Sequence, residues 1–194
     1  MTSSIAAAPP LPVRALGVAG ILGGVVLLAA FVVAIPGNVN TLRLVLFTLG
    51  AIAVVTAVQR RHAATGSQLA SVVALAAVLA NAWFLVMVVL SIGRPIPPAP
   101  DPDLRLVTFY AGLAMWLADA AFGFVSLRRG LVTRWGAVAL GVGSLLAILG
   151  MSHLELTSPA NPTIFGPLSQ LGVALNGLGW VLLGLDVALR DRRS

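Results

Sequence analysis

The stretch AGLAMWLADAAFGFVSLRRG, Ala111 to Gly130, places one carboxylate, Asp119, inside an apolar run of a chain that has only 6 acidic residues in 194. Two other apolar stretches repeat the combination of one strongly polar residue with one tryptophan. LANAWFLVM supplies Asn81 and Trp83, and LNGLGWVLLG supplies Asn176 and Trp180, alongside Trp116 and Asp119. An acid, two amides and three indoles can do three kinds of chemistry. They can bind a small apolar ligand at a polar spot, carry a proton or cation, or supply a general acid. An ionisable side chain surrounded by apolar ones is costly when charged, and such groups are by default functional candidates.

Spacing narrows the set. Trp116 and Asp119 are three residues apart, and Asn176 and Trp180 four apart, so each pair shares a helix face. Asn81 and Trp83 are two apart and diverge. Gly112, Trp116, Asp119 and Gly123 form one stripe of the same helix. Counted from the arginine-rich ends, all six residues lie roughly 12–21 Å into an apolar layer about 30 Å thick. Tryptophan in membrane proteins concentrates at the water interfaces, and Trp135 fits that rule while these three do not. The candidate ligand-binding set is therefore Asp119, Asn81, Asn176, Trp83, Trp116 and Trp180. If the chain catalyses anything, Asp119 is the general acid, set between Trp116 and Trp180 and acting on a lipid or isoprenoid. The asparagines are poor second catalytic groups, which disfavours an enzyme. The alternative to any site is a neutral acid hydrogen-bonded to an asparagine, holding helices together.

Much other chemistry is absent. The chain has no cysteine and no lysine, which removes thiolate metal sites, thiol nucleophiles and Schiff bases. His62 and His153 fall on opposite sides of the expected membrane, so no haem or zinc set forms, and no metal or cofactor is expected. Ser144 in LGVGSLLAIL would need a histidine at its own depth to act as a nucleophile, and there is none. No glycine loop followed by lysine exists to hold a nucleotide phosphate. His153 with Glu155, and Asp101 with Asp103 in PIPPAPDPD, read as loop polarity rather than ion sites. Asp186, four residues before Arg190, reads as half of an interfacial ion pair.

The elements that must position Asp119 follow from hydropathy. The chain is 59% hydrophobic and 9% charged, against about a quarter charged for soluble domains. No charged residue lies between Arg14 and Arg43 or between Glu155 and Asp186, runs longer than the ~18 residues of a membrane-span candidate. Six spans are expected, at 15–35, 42–59, 68–92, 105–127, 134–152 and 166–189, in one all-α transmembrane domain preceded by a disordered tail, 1–13. All 12 prolines fall outside the span interiors. The first apolar run exceeds the ~7–15 residues of a signal-peptide core and is read as a helix.

Arg14, Arg60, Arg61, Arg128, Arg129, Arg134, Arg190, Arg192 and Arg193 gather on one side, leaving Arg43, Arg94 and Arg105 on the other. The positive-inside rule then places both termini in the cytoplasm and the protein in the plasma (inner) membrane. The net charge of +6 flanks the spans, so the expected partners are anionic lipid head groups rather than nucleic acid. Gly20 and Gly24 form a GxxxG, Gly136, Gly143 and Gly150 line the fifth span, and Gly172, Asn176, Gly179, Asp186 and Arg190 the sixth. Close helix packing is expected there, with a homo-oligomer or a membrane-protein partner as the further possibility. The RALGVAGILGG opening, the RRGLVTRWGAVALG turn and the LNGLGWVLLG ending resemble small glycine- and alanine-rich six-span membrane proteins of high-GC bacteria, a resemblance that implies a fold and no activity. The expected function is a non-enzymatic accessory, structural or apolar-ligand-binding membrane protein, with a small proton- or cation-coupled carrier as the alternative.

Overall fold

The structure, a computed structural model, describes residues 13–32, 37–62, 67–90, 102–157 and 167–190. They form six helices: α1 (Val13–Val32), α2 (Gly37–His62), α3 (Gln68–Leu90), α4 (Pro102–Arg129), α5 (Arg134–Thr157) and α6 (Pro167–Arg190). Each is built on alanine, leucine and valine with no interior proline. Pro102 and Pro167 both open a helix, where the missing N–H has no intrahelical partner to lose.

Four helices carry segments long and apolar enough to cross a membrane: Thr41–Arg60, Gln68–Leu90, Val107–Arg129 and Leu168–Leu189. The apolar parts of α1 and α5 measured among the described residues, Val13–Ala29 and Arg134–Gly150, are shorter. Helices α2, α4 and α5 outrun their expected spans, because the backbone ladder continues through polar residues. Thus α2 starts at Gly37 and α5 continues to Thr157, which takes in His153 and Glu155. Those two residues, expected in a loop, sit within a helix. The side chains of His62, His153, Glu155 and Arg190 lie outside the described residues, as do the tail 1–12, Arg94, Asp101, Arg192 and Arg193.

Successive helices pack side by side and α6 returns to α1, closing a six-membered ring in which α2 also meets α6. Glycine sets the contact registers, and all of them run antiparallel. On α1, Gly17 faces Gly184 and Ala188 while Gly24 faces Gly177 and Val181, so two glycines seven apart on each helix meet head to tail. Gly23 meets Gly50 of α2, where a Cβ on Gly50 would sit 3.0 Å from the Gly23 Cα. Gly143 lies against the Asn176 backbone and Gly150 against Ser169, which seats α5 on α6. The GxxxG of α1 is thus occupied within the chain, Gly20 by Val54 and Gly24 by α6. With no hydrophobic force between helices in lipid, backbone approach of this kind supplies the dispersion contacts that hold a bundle.

The turn between α4 and α5 is tight. Gly130 has φ 64°, the Leu131 N–H donates to Ser126 O at 3.0 Å, and the Gly130 N–H donates to Leu127 O at 3.2 Å. This is a Schellman ending, which satisfies the last carbonyls of α4 and needs a residue that tolerates left-handed backbone.

Candidate functional site

Asp119 lies on the inward stripe of α4, fully buried, as are Asn81 of α3, Ser144 of α5 and Asn176 of α6. Asn81 Nδ2 donates to Asp119 Oδ1 at 2.9 Å and to its own helix at Ala77 O, also 2.9 Å. The first bond ties α3 to α4. Asn176 Nδ2 donates to Ser144 Oγ at 2.9 Å, and that hydroxyl donates to Leu140 O at 2.7 Å, tying α6 to α5. Asn176 and the Trp180 indole both lie close enough to act on the Asp119 carboxyl. The indole is not aligned for a hydrogen bond, since Trp180 Nε1 has no partner. Asp119 therefore joins side chains from α3 and α6, and through Asn176 reaches α5.

Two aromatic stacks flank this centre. Trp116, one turn before Asp119, stacks on Phe47 of α2 with ring centroids 6.4 Å apart and planes at 29°. Phe122, one turn after it, stacks on Trp180 of α6 at 6.2 Å and 15°. All four rings are buried. The spacing Trp116, Asp119, Phe122 turns each residue by 60° around α4, which spreads the three toward different neighbours.

Of the six residues singled out by sequence, the structure gathers five. Trp116 and Trp180 are inside, and Asp119, Asn81 and Asn176 form the polar centre. Trp83 does not join them: it is 42% exposed on the outer side of α3, because two residues of helix turn it away from Asn81. Sequence reasoning left out three participants. Ser144 is excluded as a nucleophile by the sequence, yet its position next to Gly143 on the α6-facing stripe is the signal of a polar group that meets Asn176. Phe47 and Phe122 carried no signal, since a phenylalanine in an apolar helix is unremarkable until its stacking partner is known. Arg43, expected at an outer edge, is buried at 9% exposure and engaged within the fold. Asp186 is half-buried and likewise engaged.

The hydrogen-bonding in the centre is incomplete. Asn81 Oδ1, Asp119 Oδ2, Asn176 Oδ1 and Trp180 Nε1 are buried and have no partner. Burying a polar atom unpaired costs about 1–3 kcal/mol, so these four atoms, one of them the carboxyl's own second oxygen, offset part of what the hydrogen bonds contribute. Among the described residues, no three His, Cys, Asp or Glu side chains gather to hold a metal ion. The chain matches no family model, no curated protein and no solved structure.

Proposed function

We propose that this chain is a non-enzymatic integral membrane protein in which all six helices cross the bilayer, with both termini in the cytoplasm of a bacterial cell and a polar centre around Asp119 at mid-membrane depth. One observation carries the reading: the outward faces are apolar, while strongly polar mid-helix side chains are buried within a largely apolar core. The fully buried residues include Asn81, Asp119, Ser144 and Asn176, while the outward faces carry Leu22 at 60%, Val72 at 64% and Leu149 at 56% exposure. An apolar outer surface over a core that holds these polar groups suits hydrocarbon, where backbone is satisfied within helices and polar side chains pair with one another.

The shorter apolar helices share this pattern. Val18, Leu22 and Val25 of α1, and Val142, Leu145 and Leu149 of α5, present the same outward apolar stripes as the four longer spans. Arg14, Arg60, Arg128, Arg129 and Arg134 are all exposed at one end, where anionic head groups would pair with them. In this reading the protein acts as an accessory or structural unit of the membrane. Asp119, Asn81, Asn176, Trp116 and Trp180 form its centre, and Trp83 touches lipid.

Two measurements test it. The chain has no cysteine, so single cysteines placed near each terminus and in each loop report sidedness to a membrane-impermeant thiol reagent without background. Six alternations support the reading, and labelling that shows α1 or α5 lying on one side overturns six spans. Native mass spectrometry of the gently solubilised protein, wild type beside Asp119→Asn, tests the non-enzymatic role. Bare or lipid-decorated protein in both supports a structural unit. A discrete small molecule lost in the variant reassigns the centre to ligand binding.

A further inference from the structure

The unpartnered atoms around Asp119 are unbalanced. Three of them, Asn81 Oδ1, Asn176 Oδ1 and Asp119 Oδ2, accept hydrogen bonds, and only Trp180 Nε1 donates. One proton on Oδ2 changes an acceptor into a donor and leaves two of each. No charged neighbour replaces that proton. The side chains acting on the carboxyl are Asn81, Asn176 and Trp180, all uncharged. Among the helices packed around it, α3 has no titratable residue. The titratable residues of α2, α5 and α6 lie toward their ends, at Arg43, Arg60, Arg61, His62, Arg134, His153, Glu155, Asp186 and Arg190.

A route to the carboxyl is also present. A crevice between α2, α3 and the end of α4 is lined by Val58, Gln59, Ala70, Ser71, Ala74, Phe122 and Leu131. Its free volume of about 10 Å³ is room for one water molecule. It opens beside Ser71, which is exposed, at the end of the bundle marked by Arg60 and Arg128. Ser126, one turn beyond Phe122 on the same face of α4, is fully buried with its Oγ unpartnered, a second polar atom on this inward stripe. Phe122 lines the crevice and also stacks on Trp180, which lies close enough to act on Asp119. Two stacked rings, Phe122 and Trp180, thus connect the crevice to the polar centre.

We infer that Asp119 Oδ2 is a proton-binding atom reached from the Arg60 and Arg128 end of the bundle, with the crevice as its water port and Phe122 as the gate. Uptake is simple in its balance: hydronium at the crevice gives up its proton, an O–H bond forms at Oδ2, and water remains. Motion of Phe122 off Trp180 opens the path. On the other side of Asp119 along α4, Trp116 stacks on Phe47. The inference deepens the membrane-bundle reading and rests on it.

Infrared spectroscopy of the whole chain in liposomes tests it. The wild type should show a protonated-carboxyl stretch that Asp119→Asn lacks. After transfer to D₂O the band should shift, roughly tenfold faster in Phe122→Ala than in wild type. It should shift more slowly in Ser71→Trp, which crowds the mouth at an exposed position. Where Phe122→Ala loses its helical amide band, Phe122→Leu and Ser71→Trp carry the test. Absence of any carboxyl band assigned to Asp119, or equal exchange rates in all folded variants, overturns the inference. Flotation with the vesicles is scored separately, so protein that fails to float defeats the membrane-bundle reading instead.

Discussion

Asn81 and Asp119 meet through a single nitrogen: Asn81 Nδ2 donates one hydrogen to Asp119 Oδ1 and the other to Ala77 O of its own helix, both at 2.9 Å. The amide is thereby anchored to α3 before it reaches α4, and its rotamer is fixed by both partners. Its oxygen is left without a bond, as is the second carboxyl oxygen. The pair therefore serves as a tie with one open end.

From this geometry Asp119→Asn should keep the fold, because an amide oxygen still accepts from Asn81. Asp119→Leu should lower stability by about 1–3 kcal/mol, since it strands the Asn81 amide in a buried site. Thermal unfolding in detergent, followed by circular dichroism, separates the two. A leucine variant that melts no lower than wild type removes the tie from the account.

The α5–α6 seam gives a sharper steric test. A Cβ on Gly143 would overlap the backbone of Leu175 and Asn176, which no side-chain rotation can relieve. Gly143→Ala should cost about 1–3 kcal/mol as an overpacked contact. Leu145→Ala, two residues away on the outward face, should change stability by less than about 0.5 kcal/mol. Chemical unfolding of both variants in the same detergent makes the comparison, and equal losses would contradict the seam.

The tryptophans should divide by exposure. Lipids brominated deep in their tails quench outward indoles at depth, so quenching should fall mainly when Trp83 is replaced by phenylalanine. Trp135, more exposed but at the end of α5, contributes less. Replacing Trp180 should leave the quenched fraction nearly unchanged and should cost about 3–5 kcal/mol as Trp180→Ala, since its ring is fully buried. Quenching that depends on Trp180 would mean the α4–α6 stack is open to lipid.

At the α4–α5 turn, Gly130→Ala forces a Cβ into left-handed backbone and should cost about 1–2 kcal/mol, although nothing lies within 4 Å of that site to clash with it. Gly130→Asn should recover part of the loss, because asparagine tolerates this conformation best after glycine. If alanine is neutral, the turn does not hold its Schellman geometry in solution.

The helical segments were legible because their signal is local. Long apolar runs between arginines, with prolines only at their edges, need no knowledge of neighbours. Helix ends were less legible: α2 begins five residues before its expected span, and α5 absorbs His153 and Glu155, because the hydrogen-bond ladder extends past the apolar run. The shared faces of Trp116 with Asp119, and of Asn176 with Trp180, followed from helical spacing. The divergence of Trp83 from Asn81 followed from the same spacing, yet depth alone had grouped it with the others.

By itself the sequence determined six helices, the small-residue stripes on which they pack, and the presence of one carboxyl and two amides inside apolar runs, since each is a property of one segment and its period. Only the tertiary structure decided which of them meet. Pairing Asn81 with Asp119, Asn176 with Ser144, Phe122 with Trp180 and Phe47 with Trp116 depends on rotation and register between helices far apart in sequence. Those are set by glycine contacts such as Gly24 on Gly177 and Gly143 on Asn176, where backbones approach too closely to permit another alignment.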